Sequence, residues 1–173
     1  MAARKPLIYN AGLEILQPSD DLWDTIQLSY TLASGAGSGT STQGWNTFPL
    51  NTENLDTGGH CSLSSNRFTL AAGTYEFFDA RFRRFCVNGT AFGHLIRVRN
   101  ITDSADVSGL ICQGCYGSLE MILGISGKFT LAASKALEIQ IYANAQTSFA
   151  WGVTGSVAGY SEIYGSFGLY KSP

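Results

Sequence analysis

One phrase occurs twice in this chain. Arg67 to Phe77 reads RFTLAAGTYEF, and Lys128 to Ile139 reads KFTLAASKALEI. In the first copy Phe68 and Leu70 alternate with polar residues, a small Ala-Ala-Gly step intervenes, and alternation resumes with Tyr75 and Phe77. In the second, Phe129 and Leu131 precede Ala132-Ala133, and Leu137, Ile139 and Ile141 follow. A period of two is the pattern of a half-buried strand. The Ala71 to Gly73 step supplies a tight turn, with Gly73 giving the backbone freedom a turn needs. Two strand-turn-strand units in one chain predict a two-sheet antiparallel sandwich.

The remaining segments agree with an all-β domain. Thr25 to Leu32 alternates strongly, with Ile26, Leu28, Tyr30 and Leu32 on one face. Ala91 to Arg99 is a strand with His94, Ile96 and Val98 on one side and Leu95, Arg97 and Arg99 on the other. Val87-Asn88-Gly89-Thr90 reads as a hairpin turn. Leu110 to Cys115 and Leu119 to Leu123 are short apolar runs, and Tyr160 to Tyr170 closes the chain in a strand interrupted by Gly165 and Gly168. Ala33 to Gln43, ASGAGSGTSTQ, has the composition of a flexible surface connection. Trp45 and Phe48 after it are expected to pack. No stretch keeps a helical period.

Composition narrows the function classes. With 14% charged and 45% hydrophobic residues the chain is too apolar to be disordered. A formal net charge of -2 offers no concentrated positive surface, so a nucleic-acid partner is not expected. No apolar run reaches the length of a membrane span, and none follows Arg4 and Lys5 as a secretory signal would require. The expectation is a soluble protein folded where it is made.

Asn51 to Gly59, NTENLDTGG, then Arg67-Phe68-Thr69-Leu70 and Ala72 to Phe77 together resemble the opening of the C1q/TNF-like jelly roll, in the variant found in tailed-bacteriophage virion proteins. Leu95 to Thr102, Ser126 to Ile139 and Tyr160 to Tyr170 continue the likeness. The closing strand differs from the vertebrate C1q wording by one inserted residue, which favours the phage variant. The resemblance implies a homotrimeric jelly roll over residues 25–173. It implies a non-enzymatic structural protein of the virion, assembled in the host cytoplasm: a capsid decoration or cement protein partnered by the major capsid protein or another virion protein. The alternatives are a head fibre, or a receptor-binding tail-fibre tip or carbohydrate-binding module that takes a host surface glycan, with Trp45, Trp151 and the tyrosines stacking on sugar rings. Candidates for the apolar contact around a three-fold axis are Phe77, Phe82, Tyr160, Tyr164 and Phe167.

Residues 1–24 differ from the rest. Their apolar pieces, Leu7, Ile8 and Tyr9, then Leu13, Ile15 and Leu16, are too short to fold alone and must lie against something else. Pro6-Leu7, Gly12, Ile15 and Pro18 resemble an opening found in phage fibre and particle-surface proteins, which makes the segment a docking arm. An edge strand of the protein's own sandwich is the other reading.

Catalytic chemistry finds little support. His60 and His94 are the only histidines, no G-x-S-x-G elbow occurs, and Gly124 to Lys128 lacks the phosphate-loop spacing. The carboxylates Glu76, Asp79, Glu120, Glu138 and Glu162 are scattered. Cys61, Cys86, Cys112 and Cys115 read as buried thiols. Cys112-Gln-Gly-Cys115 has the spacing of half a zinc site, but no second pair completes it. No catalytic residue, metal or cofactor is expected. Arg81, Arg83 and Arg84, set among aromatics with Asp79 nearby, predict a solvated or inter-subunit strand face.

Overall fold

The computed structural model describes residues 8–10, 15–17, 23–85, 93–107, 109–112, 115–116, 120–143, 146–148 and 150–173; for 8–10, 15–17, 93, 110–112, 115–116 and 147 it describes the backbone alone. No helix occurs among them. The strands are β1 (Ile8–Asn10), β2 (Ile15–Gln17), β3 (Asp24–Leu32), β4 (Thr40–Ser41), β5 (Gly44–Thr47), β6 (Thr52–Asp56), β7 (Cys61–Ser64), β8 (Arg67–Leu70) and β9 (Gly73–Arg84). They continue as β10 (Gly93–Asn100), β11 (Ala105–Asp106), β12 (Leu110–Cys112), β13 (Cys115–Tyr116), β14 (Met121–Leu131), β15 (Lys135–Ala143), β16 (Thr147–Ser148) and β17 (Glu162–Lys171).

Two sheets carry the fold, and every pairing in them is antiparallel. The six-stranded sheet runs β12-β14-β9-β17-β3-β6. The seven-stranded sheet runs β11-β10-β15-β8-β7, with β5 added on β15 and β13 on β10. The expected antiparallel jelly-roll sandwich is what the chain forms.

The repeated phrase does something that alternation alone does not reveal. In each copy the strands flanking the Ala-Ala step belong to different sheets: β8 and β15 to the seven-stranded one, β9 and β14 to the six-stranded one. Each step is therefore a corner between layers and not a hairpin. The two corners pair reciprocally. Phe68 of β8 lies opposite Leu137 of β15, while Tyr75 of β9 lies opposite Phe129 of β14. The Tyr75 and Phe129 rings stack at 5.6 Å, and Thr74 and Thr130 join by their hydroxyls at 2.9 Å.

Between the sheets lies an aromatic core. Phe48 meets Tyr30, Phe82 and Trp151 edge-on, and Phe167 touches Phe68, Phe77 and Phe82. Such rings bury large areas, and their offset and edge contacts add to the area term.

Several local expectations change. Leu119 to Leu123 and the second FTL phrase are not separate runs, since β14 is one strand with an irregularity between Gly124 and Gly127. β6 lies within the Asn51 to Gly59 segment that carries the resemblance, and β7 in the stretch between it and Arg67, where no strand is expected. The Ala33 to Gln43 segment is pinned, not flexible: Ser38 is buried, its hydroxyl donating to the Gly152 carbonyl at 2.6 Å and accepting from the Trp151 N–H at 3.1 Å. Its end forms β4, which pairs with β16. The Asn88-Gly89 turn lies outside the described residues.

Candidate assembly surface

A sandwich has two outer faces, and here they differ in chemistry. On the seven-stranded sheet most outward side chains are tied in polar pairs. Arg67 bonds Glu138 at 2.7 Å, Arg97 and Arg99 share Asp106 at 3.1 and 3.0 Å, and Lys135 holds Asp103 at 2.6 Å. Burial pushes the Glu138 pKa up, but hydrogen bonds from Arg67, Gln140 and Thr47 outweigh it and hold the carboxyl below its ordinary value.

The six-stranded sheet presents aromatic and aliphatic side chains outward. Phe78 of β9 stacks on Tyr170 of β17 at 4.1 Å, and Trp23 meets Tyr170 edge-on at 5.7 Å. Lys128 lies 5.6 Å from the Trp23 ring. Toward the other end, Ile122 and Ile163 are 62% and 57% exposed and border a cleft of about 200 Å³ with Arg81, Arg83 and Ser166. Both arginines are paired on this face, Arg81 with Asp79 at 2.7 Å and Arg83 with Glu120. A further cleft of about 120 Å³ between Phe78, Gln27, Asn54 and Ser166 lies between the two apolar groups. Leu55, opposite Gln27, is exposed beside it.

This geometry corrects the interface set read from the sequence. Phe77, Phe82, Tyr164 and Phe167 point into the protomer's own core and are at most 6% exposed, so they offer no surface to a second copy. Of the five, Tyr160 alone is open, at 73%, in the loop before β17. The reason is a change of phase. Asp79 takes a left-handed backbone (φ 45°) beside an irregularity between Ser166 and Gly168, so Phe77 and Phe82 both face inward and Phe78, Arg81 and Arg83 face outward. Residues that sequence reading missed are Trp23, Leu55, Phe78, Ile122, Ile163 and Tyr170. Adjacent Phe77 and Phe78 carried the one available signal, because neighbours on a strand face opposite sides.

Two more expectations shift. Arg84 is not on a solvated face; it is fully buried, donating to the Ala150 carbonyl at 2.9 Å and to Ser41 Oγ at 2.7 Å over the Trp151 ring. Trp151 itself is core, whereas Trp45 stands on the outer face of the seven-stranded sheet. Of the arm residues, Leu7 and Leu13 lie outside the described residues. Ile8 and Tyr9 belong to β1, and Ile15 and Leu16 to β2. Among the described residues these two strands pair only with each other, in register Tyr9 to Leu16, as a ladder separate from both sheets.

Around the possible chemistry, His60 Nε2 and Asp24 Oδ2 are 2.6 Å apart at the start of β3. His94 is buried, with Nδ1 donating to the Tyr142 carbonyl at 3.2 Å. Burial, with Glu53 and Asp56 nearby, pushes the Cys61 thiol up to about 12, which makes it inert as a thiolate nucleophile. Cys112 and Cys115 lie on β12 and β13, strands of different sheets. Among the described residues no group of three or more His, Cys, Asp and Glu is placed to hold a metal ion.

No family model matches the sequence, and no curated protein does. Solved structures match over almost their whole length. Murine APRIL at pH 5.0 is 11% identical with a TM-score of 0.54, covering 86% of this chain and 98% of that one. The same protein at pH 8.5 is 10% identical at 0.53, over 87% and 98%. The vertex protein P5 of PRD1 is 16% identical at 0.50, over 88% and 99%. Identities this low carry the architecture and leave function open. By its fold, then, the chain is a C1q/TNF-like jelly roll.

Proposed function

We propose that this chain is a non-enzymatic structural protein of a bacteriophage particle, a homotrimer that decorates or cements the capsid. The observation that carries the reading is the contrast between the two outer faces. One is laced with ion pairs and suits water; the other exposes Trp23, Tyr170, Ile122 and Ile163 and suits a second copy of itself. Because Asp79 and Glu120 already pair with Arg81 and Arg83, the arginines enter a contact without leaving a lone charge behind. The jelly-roll resemblance supports a three-fold arrangement, and the exposed Tyr160 is free to take part in it. The likeness to a protein named for the PRD1 vertex supports a place on a virion.

In this reading residues 1–24 dock on the major capsid protein or another virion protein through Leu7, Ile8, Tyr9, Leu13, Ile15 and Leu16. The separate β1-β2 ladder supports the division, since the sandwich closes without it. The test is size exclusion with light scattering, and particle binding, for the full chain and for residues 25–173. Both are expected to be trimers while only the full chain binds particles. A monomeric full chain overturns the assembly, and loss of the trimer on truncation assigns the leading segment to the protomer's own fold. Electron microscopy of the particle then places the density on the capsid lattice, as proposed, or at the tail tip, which overturns the capsid role.

A further inference from the structure

On the ion-paired outer face of the seven-stranded sheet, one row is of another kind. Trp45 of β5 lies opposite Tyr142 of β15, and Tyr142 opposite Leu95 of β10, so the three side chains form one cross-strand row. Trp45 is 39% and Leu95 51% exposed. The Trp45 and Tyr142 rings meet edge-on at 5.4 Å. The next row is Thr47, Gln140 and Arg97, and it fixes the first: the Arg97 guanidinium lies over the indole at 3.8 Å. Arg97 is itself held by Gln140 Oε1 at 3.0 and 2.8 Å and by Asp106. Thr47 and Gln140 are held by Glu138, each at 2.8 Å.

We propose that this row is a binding site for a neutral glycan, with a hexopyranose laid by its C–H face on the side of the Trp45 indole away from Arg97 and met at its edge by Tyr142. Three features select that ligand. The rings are immobilised before any ligand arrives, so little ordering cost remains. Their polar tips, the Trp45 indole N–H and the Tyr142 hydroxyl, have no hydrogen-bond partner among the described residues and are the kind of group that meets a sugar hydroxyl at the edge of a stack. Each surrounding arginine is held by a carboxylate, Arg67 by Glu138 and Arg97 and Arg99 together by Asp106, so the one surplus positive charge is spread over two bound guanidiniums and none stands free for an ionic ligand.

Size argues against a protein occupant. The row crosses two strand spacings, about 10 Å, which matches one or two sugar rings. It falls far short of the roughly 800 Å² per partner of a stable protein interface. The site lies on the opposite layer from the proposed trimer contact and does not rest on the virion reading. It stands or falls with sugar binding alone.

The experiment is a printed panel of neutral oligosaccharides of glucose, galactose, mannose and N-acetylglucosamine, followed by saturation-transfer NMR of the full chain with the strongest binder. Binding is expected, with transfer to the sugar's ring C–H protons. Trp45→Ala should weaken it about tenfold or more, and Tyr142→Phe, which keeps the ring and removes only the hydroxyl, by a smaller factor. Val157→Ala, at an exposed position in the loop before β17, should bind as wild type. If Trp45→Ala misfolds by circular dichroism, the Tyr142→Phe comparison decides. The proposal is overturned if no panel member binds, if folded Trp45→Ala and Tyr142→Phe both bind as wild type, or if Trp45→Ala abolishes only attachment to a protein.

Discussion

The ring of Phe78 lies over the backbone of Gly168, leaving no space for a methyl group there: a Cβ at that position would overlap the ring carbons. Glycine at 168 is what lets Phe78 lie flat and stack on Tyr170. Gly165 serves the inner layer in the same way, since a Cβ there would sit 2.6 Å from Phe48 Cζ and 3.1 Å from the Arg81 carbonyl oxygen. Phe48 is fully buried and cannot swing aside, whereas Phe78 is at the surface. Gly165→Ala should therefore cost more stability, about 2–3 kcal/mol by overpacking, than Gly168→Ala at about 1 kcal/mol. Urea midpoints of the two variants check the order.

Assembly should be sensitive to charge at one end of the six-stranded sheet. Ile163→Arg adds a third cation beside Arg81 and Arg83. Burying it unpaired should weaken the trimer by about a hundredfold or more. Leu95→Arg, equally exposed but on the other layer, should leave the trimer intact. Light scattering across a dilution series reads both.

Glu138 should set part of the acid limb of stability. Its pKa is held below the ordinary value, so its contribution is whole above that value and is lost as pH falls through the depressed one. Glu138→Gln keeps the shape but weakens the bonds from Arg67 and Thr47, and should cost about 1–2 kcal/mol at neutral pH. The gap between variant and wild type should narrow in acid, which thermal melts from neutral pH down to the carboxylate range would show.

Glu162 should do the same for the loop before β17. Its carboxylate accepts the Tyr164 hydroxyl and the backbone N–H groups of Ser156 at 2.7 Å and Gly35 at 3.2 Å. The Tyr164 bond chiefly, then burial in the opposite sense, then these amides leave its pKa lowered, while burial first and Glu162 second raise that of Tyr164. The loop anchor is complete above the ordinary carboxylate pKa and is released as pH drops through the depressed value. Amide exchange at Ser156 and Gly35, corrected for intrinsic rate, should accelerate in acid. Glu162→Gln should show the faster exchange already at neutral pH.

The strands of the repeated phrase were legible because Phe68, Leu70, Phe129 and Leu131 alternate so cleanly and are all buried. A period of two tells which face a residue occupies but not which strand lies beside it, so the tight turns gave no sign of being corners between the sheets. β6 was illegible for a related reason. Glu53, Asn54 and Leu55 are all exposed, and a strand that buries little leaves no alternation to read. The outward surface was missed at Asp79, where one left-handed residue inverts the phase of everything after it. Arg84 shows the converse: beside outward-facing Arg83, its neighbour on the strand had to face in, and the charge concealed this.

The reciprocal corners also bear on the order of folding. Phe68 waits for Leu137 and Tyr75 for Phe129, and β3 has no central partner until Glu162 to Lys171 has been synthesised. Short local pairs such as β7 with β8 and β10 with β11 can close as they emerge, but the central ladders cannot, so the nascent chain stays largely open until late and should reach its native state slowly, as barrels and sandwiches of distant pairings do. During that interval the unpaired edges of β9 and β3 are its most vulnerable features, and holding them apart is work for a chaperone of the cell that makes the protein.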